Sequence, residues 1–118
     1  MNQNLTEALK RCPEAAAALE KLKAGNARFV AGKTQELPRD SARRESLARE
    51  GQYPYAFLLT CSDSRVVPEF IFSAGLGELF VTRAAGNVLG TSILASAQYA
   101  AQELGAKLFV VLGHSQCG

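Results

Sequence analysis

A strand is predicted by the stretch Lys107-Leu108-Phe109-Val110-Val111-Leu112-Gly113. The five central residues are apolar, and a lysine and a glycine bound them. Short, continuous apolar runs of this kind are typical of strands in a parallel sheet. The segments that precede this strand along the chain therefore decide the fold class.

Helices and strands alternate upstream of that strand. The pattern predicts a strand over residues 55–60, a short helix that begins at Pro68, a strand over residues 78–82 and a helix over residues 91–104. One face of the last helix carries Ile93, Leu94, Ala97, Ala100, Ala101 and Leu104. Alternating strands and helices form parallel sheets with right-handed crossovers. The fold class is therefore α/β, a Rossmann-like parallel sheet flanked by helices.

The first fifty residues are more polar and are predicted to be helical. Apolar residues recur at near-helical spacing from Pro13 to Ala31, which predicts one helix. A second helix is predicted from about Ser41 to Glu50, with Asp40 or Ser41 as its cap. A loop over residues 33–39 separates the two. We therefore predict an N-terminal helical arm ahead of the sheet.

The composition limits the number of domains and the classes of partner. With 118 residues, 47% of them hydrophobic, the chain can form one domain with its own core. We predict a single domain over residues 1–118, with the helical arm over 1–50 and an α/β core over 53–118. Charged residues make up 20% of the chain and the net charge is +2. This balance favours neither nucleic-acid binding nor a polybasic membrane anchor.

Cysteine usage and the N-terminal sequence bear on the compartment. The chain has three cysteines, an odd number, and its first residues lack the basic and apolar regions of a signal peptide. No apolar stretch approaches the roughly 20 residues that a membrane-spanning helix needs. We therefore expect reduced thiols, no membrane segment and a cytoplasmic location.

One histidine and two cysteines follow the predicted strand ends. His114 is the single histidine of the chain and precedes Cys117 by three residues, and Cys61 directly follows the strand over 55–60. Ligand sites in open α/β sheets collect at the carboxyl ends of the strands. Two thiolates and one imidazole are three ligands that Zn²⁺ prefers, and water or Asp63 would take the fourth position.

Asp63 and Arg65 are spaced to form an ion pair beside those ligands. The guanidinium offers a planar fork that matches a carboxylate with two hydrogen bonds. While Arg65 holds it, Asp63 would leave the metal open; once released, Asp63 could become the fourth ligand in a closed state. A solvated surface ion pair is the alternative interpretation.

The segments Cys61-Ser62-Asp63-Ser64-Arg65 and Gly113-His114-Ser115-x-Cys117-Gly118 together resemble beta-class carbonic anhydrases. The resemblance runs from about Gln52 to Gly118 and includes Ala85-Gly86-Asn87. It implies a zinc enzyme that interconverts CO₂ and bicarbonate. Cys61, His114 and Cys117 would be the metal ligands, and Asp63 and Arg65 the catalytic dyad.

Further implications of the resemblance concern the substrate pocket and the assembly. Gln52 matches a glutamine that hydrogen-bonds the substrate, and Phe80 and Tyr99 match groups that line the CO₂ pocket. Ordinary core packing is the alternative for the two aromatic residues. In the family such pockets lie at a subunit interface, so a homodimer or higher homo-oligomer is implied, with the polar N-terminal helices wrapping over the partner.

The same resemblance implies that the usual domain continues beyond Gly118. We therefore expect a truncated chain, whose sheet leaves one face and one edge uncovered, and the activity of this chain stays open. Other functions also stay open. These are a non-catalytic zinc-binding or thiol-sensor fragment of the same fold and a hydrolase of CS₂ or COS. The segment from Gly113 to Cys117 further resembles a serine-hydrolase elbow, although Cys117 stands where its closing glycine would be.

Overall fold

A computed structural model describes residues 1–33 and 37–118. Its elements, in chain order, are α1 (Gln3–Arg11), α2 (Pro13–Val30), α3 (Ser41–Glu50), β1 (Ala56–Cys61), α4 (Pro68–Ile71), β2 (Leu79–Ala84), α5 (Thr91–Gln102) and β3 (Leu108–Leu112). The three strands form one parallel sheet in the order β2-β1-β3. The predicted α/β class and parallel sheet are confirmed. Part of the predicted loop over 33–39 lies outside the described residues.

The central strand β1 brings the chemistry of the molecule to one edge of the sheet. All six of its residues are buried, because β2 and β3 pair with its two edges while residues of α2 and α5 pack on its two faces. Ala56 and Cys61 begin and end the strand. In a parallel sheet all strands end at the same edge, so the loops after β1 and β3 emerge side by side.

Helix α2 covers one face of this sheet. Leu22 of α2 packs in a buried cluster with Ala56, Leu58, Ala74 and Leu79. The helix α1, in contrast, has no buried residue and contacts mainly α2. The polar stretch before residue 50 is therefore not one uniform arm, since α2 belongs to the core layer. Its polar sequence reflects its outer face.

Helix α3 is held by its cap and by arginine contacts. The Asp40 side chain accepts a hydrogen bond from the backbone N–H of Arg43 (2.9 Å), so Asp40 rather than Ser41 is the cap. The Arg43 Nε donates to the carbonyl of Leu76 (3.0 Å), in the loop before β2. These contacts dock α3 beside the sheet without a buried residue of its own.

Helix α5 covers part of the opposite face. Phe57, Leu59, Ala100 and Ala106 form the buried cluster there, with Phe80, Ile93 and Ala97 packed against it. Two residues that were predicted on the apolar face of this helix, Leu94 and Ala101, are exposed. Only a narrow stripe of the predicted apolar face, residues 93, 97 and 100, packs on the sheet.

Strand β3 is an edge strand with one open face. The exposed fractions of Phe109 and Val111 are 44% and 68%. By register they share a face with Phe57 and Leu59, which α5 covers. The open face and edge of this strand agree with the expectation that the sheet leaves one face and one edge uncovered. Among the residues described, no helix is long and apolar enough to cross a membrane.

Candidate metal centre

The two cysteines and the histidine meet at the carboxyl edge of the sheet. Cys61 ends β1, and His114 and Cys117 lie in the loop after β3, the strand next to it. Their ligand atoms all lie within 4.8 Å of one another, and the two Sγ atoms are 4.0 Å apart. Two thiolates bound to one tetrahedral zinc ion would lie about 3.8 Å apart, since Zn–S bonds are about 2.3 Å long. The spacing fits a metal ion.

The imidazole of His114 is oriented as a metal ligand would be. Its Nδ1 lies 2.9 Å from the backbone carbonyl of Ser115 and can donate a hydrogen bond to it. The other ring nitrogen, Nε2, is buried and has no hydrogen-bond partner in the part of the chain that the structure describes. A buried, unpaired nitrogen is costly, and a bound metal would satisfy it.

Backbone N–H groups prepare Cys61 to be a thiolate. Hydrogen bonding from the backbone of Asp63, then the neighbouring His114 side chain and the backbone N–H of Gly86, lowers the pKa of Cys61 to about 6. The Gly86 N–H lies 3.3 Å from its Sγ. The neighbouring Cys61 raises the pKa of Cys117. Metal ligands must be deprotonated, so Cys61 is the first thiol that is ready to bind.

Asp63 and Arg65 form the predicted pair. The Arg65 Nε donates to Oδ1 of Asp63 (3.0 Å) and Nη2 donates to Oδ2 (2.8 Å). Hydrogen bonds from Arg65 hold the pKa of Asp63 well below its usual range. The same Nη2 also donates to the carbonyl of Gln116 (3.1 Å), in the loop that carries His114 and Cys117. The pair is therefore more than a solvated surface contact, because it links the two ligand-bearing loops.

Residues 56–118, which include this cluster, match the family described as carbonic anhydrase. The chain belongs to the beta-class carbonic anhydrases. It is 48% identical over 102 residues to "Carbonic anhydrase 2" of Mycobacterium tuberculosis, an alignment that covers 86% of this chain and 49% of that protein. It is 42% identical over 96 residues to a carbonic anhydrase of Pseudomonas aeruginosa, covering 76% of this chain and 43% of the relative.

Solved structures of beta-carbonic anhydrases share the fold. The beta-carbonic anhydrase CcaA superposes with a TM-score of 0.61 at 32% identity, over 87% of this chain and 48% of the other. A pair of tetrameric beta-carbonic anhydrases from Sordaria macrospora gives a TM-score of 0.59 at 28% identity, over 99% and 52% of the respective chains. The chain thus spans about half the length of the relatives that it matches.

Not all residues that the beta-carbonic anhydrase resemblance assigned to the substrate lie at the cluster. Gln52 precedes β1, whereas the cluster follows it, and a six-residue strand is about 17–20 Å long. Phe80 pairs in register with Phe57, four residues before Cys61, or about 13 Å along the strand. The Phe80 ring packs on half-exposed Tyr99, with 5.9 Å between centroids. The substrate roles of Gln52, Phe80 and Tyr99 stay predictions that depend on a neighbouring subunit.

Two further residues support the cluster without having been assigned a role from the sequence. Gly86 donates its N–H to the Cys61 sulfur from a turn in which its φ is +69°, a conformation that favours glycine. Arg83, on β2, donates to the carbonyls of Cys61 and Asp63. A signal was present, because both residues stand at the carboxyl end of a strand beside Cys61. Only the strand order shows that β2 lies next to β1, which places both residues beside Cys61.

The titration of the thiols is a direct test of this electrostatic arrangement. In the metal-free protein we expect Cys61 to ionise near its pKa of about 6, while Cys117 keeps its proton at neutral pH. As the pH falls through that value, the proton competes with the metal and metal affinity falls. Ultraviolet absorbance of the thiolate, followed against pH, measures the step. Cys12→Ser should retain the low-pH step and Cys61→Ser should lose it; a low-pH step in Cys61→Ser would contradict the assignment.

Proposed function

We propose that the chain carries the zinc site of an enzyme that reversibly hydrates carbon dioxide to bicarbonate and a proton. The observation that supports the proposal is the cluster of three candidate ligands, Cys61, His114 and Cys117. Beside it, hydrogen bonds from Arg65 hold the carboxylate of Asp63. A structural zinc site is closed by four protein ligands, whereas a catalytic site keeps one position open. A zinc ion held here would supply Lewis-acid chemistry, which activates water for attack on carbon.

Asp63 has the protonation state that this reaction needs. Arg65 keeps it ionised at neutral pH, and an ionised carboxylate accepts hydrogen bonds but cannot donate them. Such an acceptor favours molecules that carry an O–H group, which water and bicarbonate both have. Because both of its oxygens are bonded to Arg65, the carboxylate is held in place while it orients that group. Asp63 and Arg65 are therefore proposed as the catalytic dyad.

The proposed substrate pocket needs more than one copy of the chain. Carbon dioxide has no net charge, so apolar groups such as Phe80 and Tyr99 suit it, and Gln52 would hydrogen-bond one oxygen. Since one chain leaves Gln52 and Phe80 away from the cluster, we propose a homodimer or higher homo-oligomer that brings such groups together. The tetrameric state of the Sordaria macrospora relatives supports this proposal.

Replacing Asp63 by asparagine tests the proposal. We expect CO₂ hydration to fall about 10²- to 10⁴-fold, the contribution of a positioned proton-handling group, while zinc content stays at one ion per chain. Stopped-flow hydration rates and metal analysis on the same samples measure both. Glu45→Gln, on the exposed surface of α3, removes one carboxylate charge as the matched control and should leave both unchanged.

Other outcomes separate the remaining functions. Loss of zinc from Asp63→Asn would favour a closed, non-catalytic site. A zinc-loaded protein that leaves CO₂ unchanged but hydrolyses CS₂ or COS would move the proposal to those substrates. The serine-hydrolase interpretation lacks support, since the His114 ring contacts the carbonyl of Ser115 and no hydrogen bond to its hydroxyl is found within the described ranges.

A further inference from the structure

Arg83 joins strand β2 to the backbone on both sides of Ser62. Its Nε donates to the carbonyl of Cys61 (3.0 Å) and its Nη2 to the carbonyl of Asp63 (2.6 Å). In the sheet register Arg83 pairs with Thr60, so its side chain reaches just beyond the end of β1. The planar guanidinium offers several donors in a fixed fork, which lets one side chain hold two carbonyl groups at once.

The segment that Arg83 holds carries both the buried ligand and the dyad carboxylate. The ladder with β2 ends where the Ser62 N–H donates to the carbonyl of Ala84 (3.2 Å). Beyond that point the segment leaves the sheet. The next contact to β2 is the bond from Arg83 to the Asp63 carbonyl. Because peptide groups are planar, holding the carbonyls of residues 61 and 63 restricts the directions of the Cys61 and Asp63 side chains.

We infer that Arg83 is a positioning residue of the metal centre, which orients Cys61 as a ligand and sets Asp63 beside it. The inference rests on the proposed function only in taking the cluster to be a metal site. Within the described residues Arg83 makes no hydrogen bond to a ligand atom; it acts through the two backbone carbonyls. It therefore differs from Arg65, whose guanidinium binds the Asp63 carboxylate itself.

Metal affinity of Arg83 variants tests the inference. For Arg83→Gln we expect the zinc dissociation constant, from competition with a chelator, to rise about 10- to 100-fold, as for other outer-shell partners of metal ligands. The visible bands of the Co²⁺-substituted protein should shift, since the Cys61 thiolate would bind at a different angle. A residue that serves only overall stability would lower the melting temperature but leave the affinity and cobalt bands of the folded protein unchanged.

Two further variants keep the result decisive. Arg83→Lys retains the charge but can no longer hold both carbonyls in one fork, so we expect it to recover only part of the affinity. If Arg83→Gln does not fold, Arg83→Lys is used in its place for the zinc and cobalt measurements. Arg49→Gln, on the exposed surface of α3, is the matched control for loss of an arginine charge and should bind zinc and cobalt as the unsubstituted protein does.

The outcomes distinguish this inference from the proposed function. The positioning role would be overturned by Arg83 variants that bind zinc within about twofold of the Arg49→Gln control and keep unchanged cobalt bands. Loss of an outer-shell partner has a larger effect than that. The proposed function would still stand. A metal-loaded protein that does not hydrate CO₂, but weakens its metal binding on loss of Arg83, would overturn the proposed function alone. An unsubstituted protein that binds no cobalt would overturn both.

Discussion

Replacing Cys61 by serine is expected to abolish zinc binding, with a loss of affinity greater than the roughly 100-fold seen for outer-shell changes. Cys61 is the buried ligand at the end of the central strand, and backbone N–H groups stabilise its thiolate. A serine hydroxyl stays protonated at neutral pH and is a poor ligand for zinc. Without this residue only two of the three ligand atoms remain, on one loop.

The chain contains its own control for that substitution. Cys12 lies at the start of α2, outside the cluster, and its Sγ is 3.6 Å from Glu14. Cys12→Ser should therefore retain one zinc ion per chain after dialysis against a moderate chelator. Metal analysis and chelator competition on both variants decide the matter. Stoichiometric zinc in Cys61→Ser, or its loss in Cys12→Ser, would show that the cluster is not the metal site.

Replacing Gly25 by alanine is expected to destabilise the fold by about 3 kcal/mol, the upper part of the range for overpacking. A Cβ at this position would lie 1.8 Å from the carbonyl oxygen of Phe72, a backbone atom that cannot turn aside. The contact is reinforced, since the Ser73 hydroxyl donates to the Gly25 carbonyl (2.9 Å) and Asn26 donates to the carbonyl of Ile71 (3.1 Å). The helix α2 would have to move away from the end of α4.

Whether Gly25→Ala lowers or raises the free energy of unfolding distinguishes a closely packed glycine from an exposed one. In an exposed helix, alanine is about 1 kcal/mol more favourable than glycine, so a helix that did not pack here would be stabilised. Denaturant unfolding of the two proteins measures the difference. Gly90→Ala is the control, because a Cβ there meets nothing within 4 Å and should change stability by less than about 1 kcal/mol. Equal or higher stability of Gly25→Ala would contradict the close packing of α2 against Phe72, at the end of α4.

Local sequence was sufficient for the elements and for the chemistry of the site. The apolar runs that become β1 and β3 are short and bounded by polar or glycine residues, so their type and limits were predicted within about two residues. Cap and stop residues placed the start of α3 at Ser41 and its end at Glu50. The ligand set could be proposed because a single histidine and two cysteines follow strand ends.

Long-range packing was beyond that reasoning. The sequence pattern shows which residues are apolar, but not which element covers them. For that reason it could not show that Leu94 and Val111 stay exposed, which follows because α5 reaches only part of the sheet. It also grouped α2 with the polar arm, because the close approach at Gly25 depends on Phe72, far along the chain.

The sequence by itself determined which atoms can bind a metal, since sulfur and imidazole donors are properties of single side chains. It also determined that Asp63 and Arg65 are close enough to pair, because a single residue, Ser64, separates them along the chain. Only the tertiary structure decided that β1 and β3 are neighbours, which brings the Sγ atoms of Cys61 and Cys117 to 4.0 Å from each other. It alone decided that Arg83 holds the carbonyls beside them. Such contacts depend on strand order, which arises from packing between distant segments.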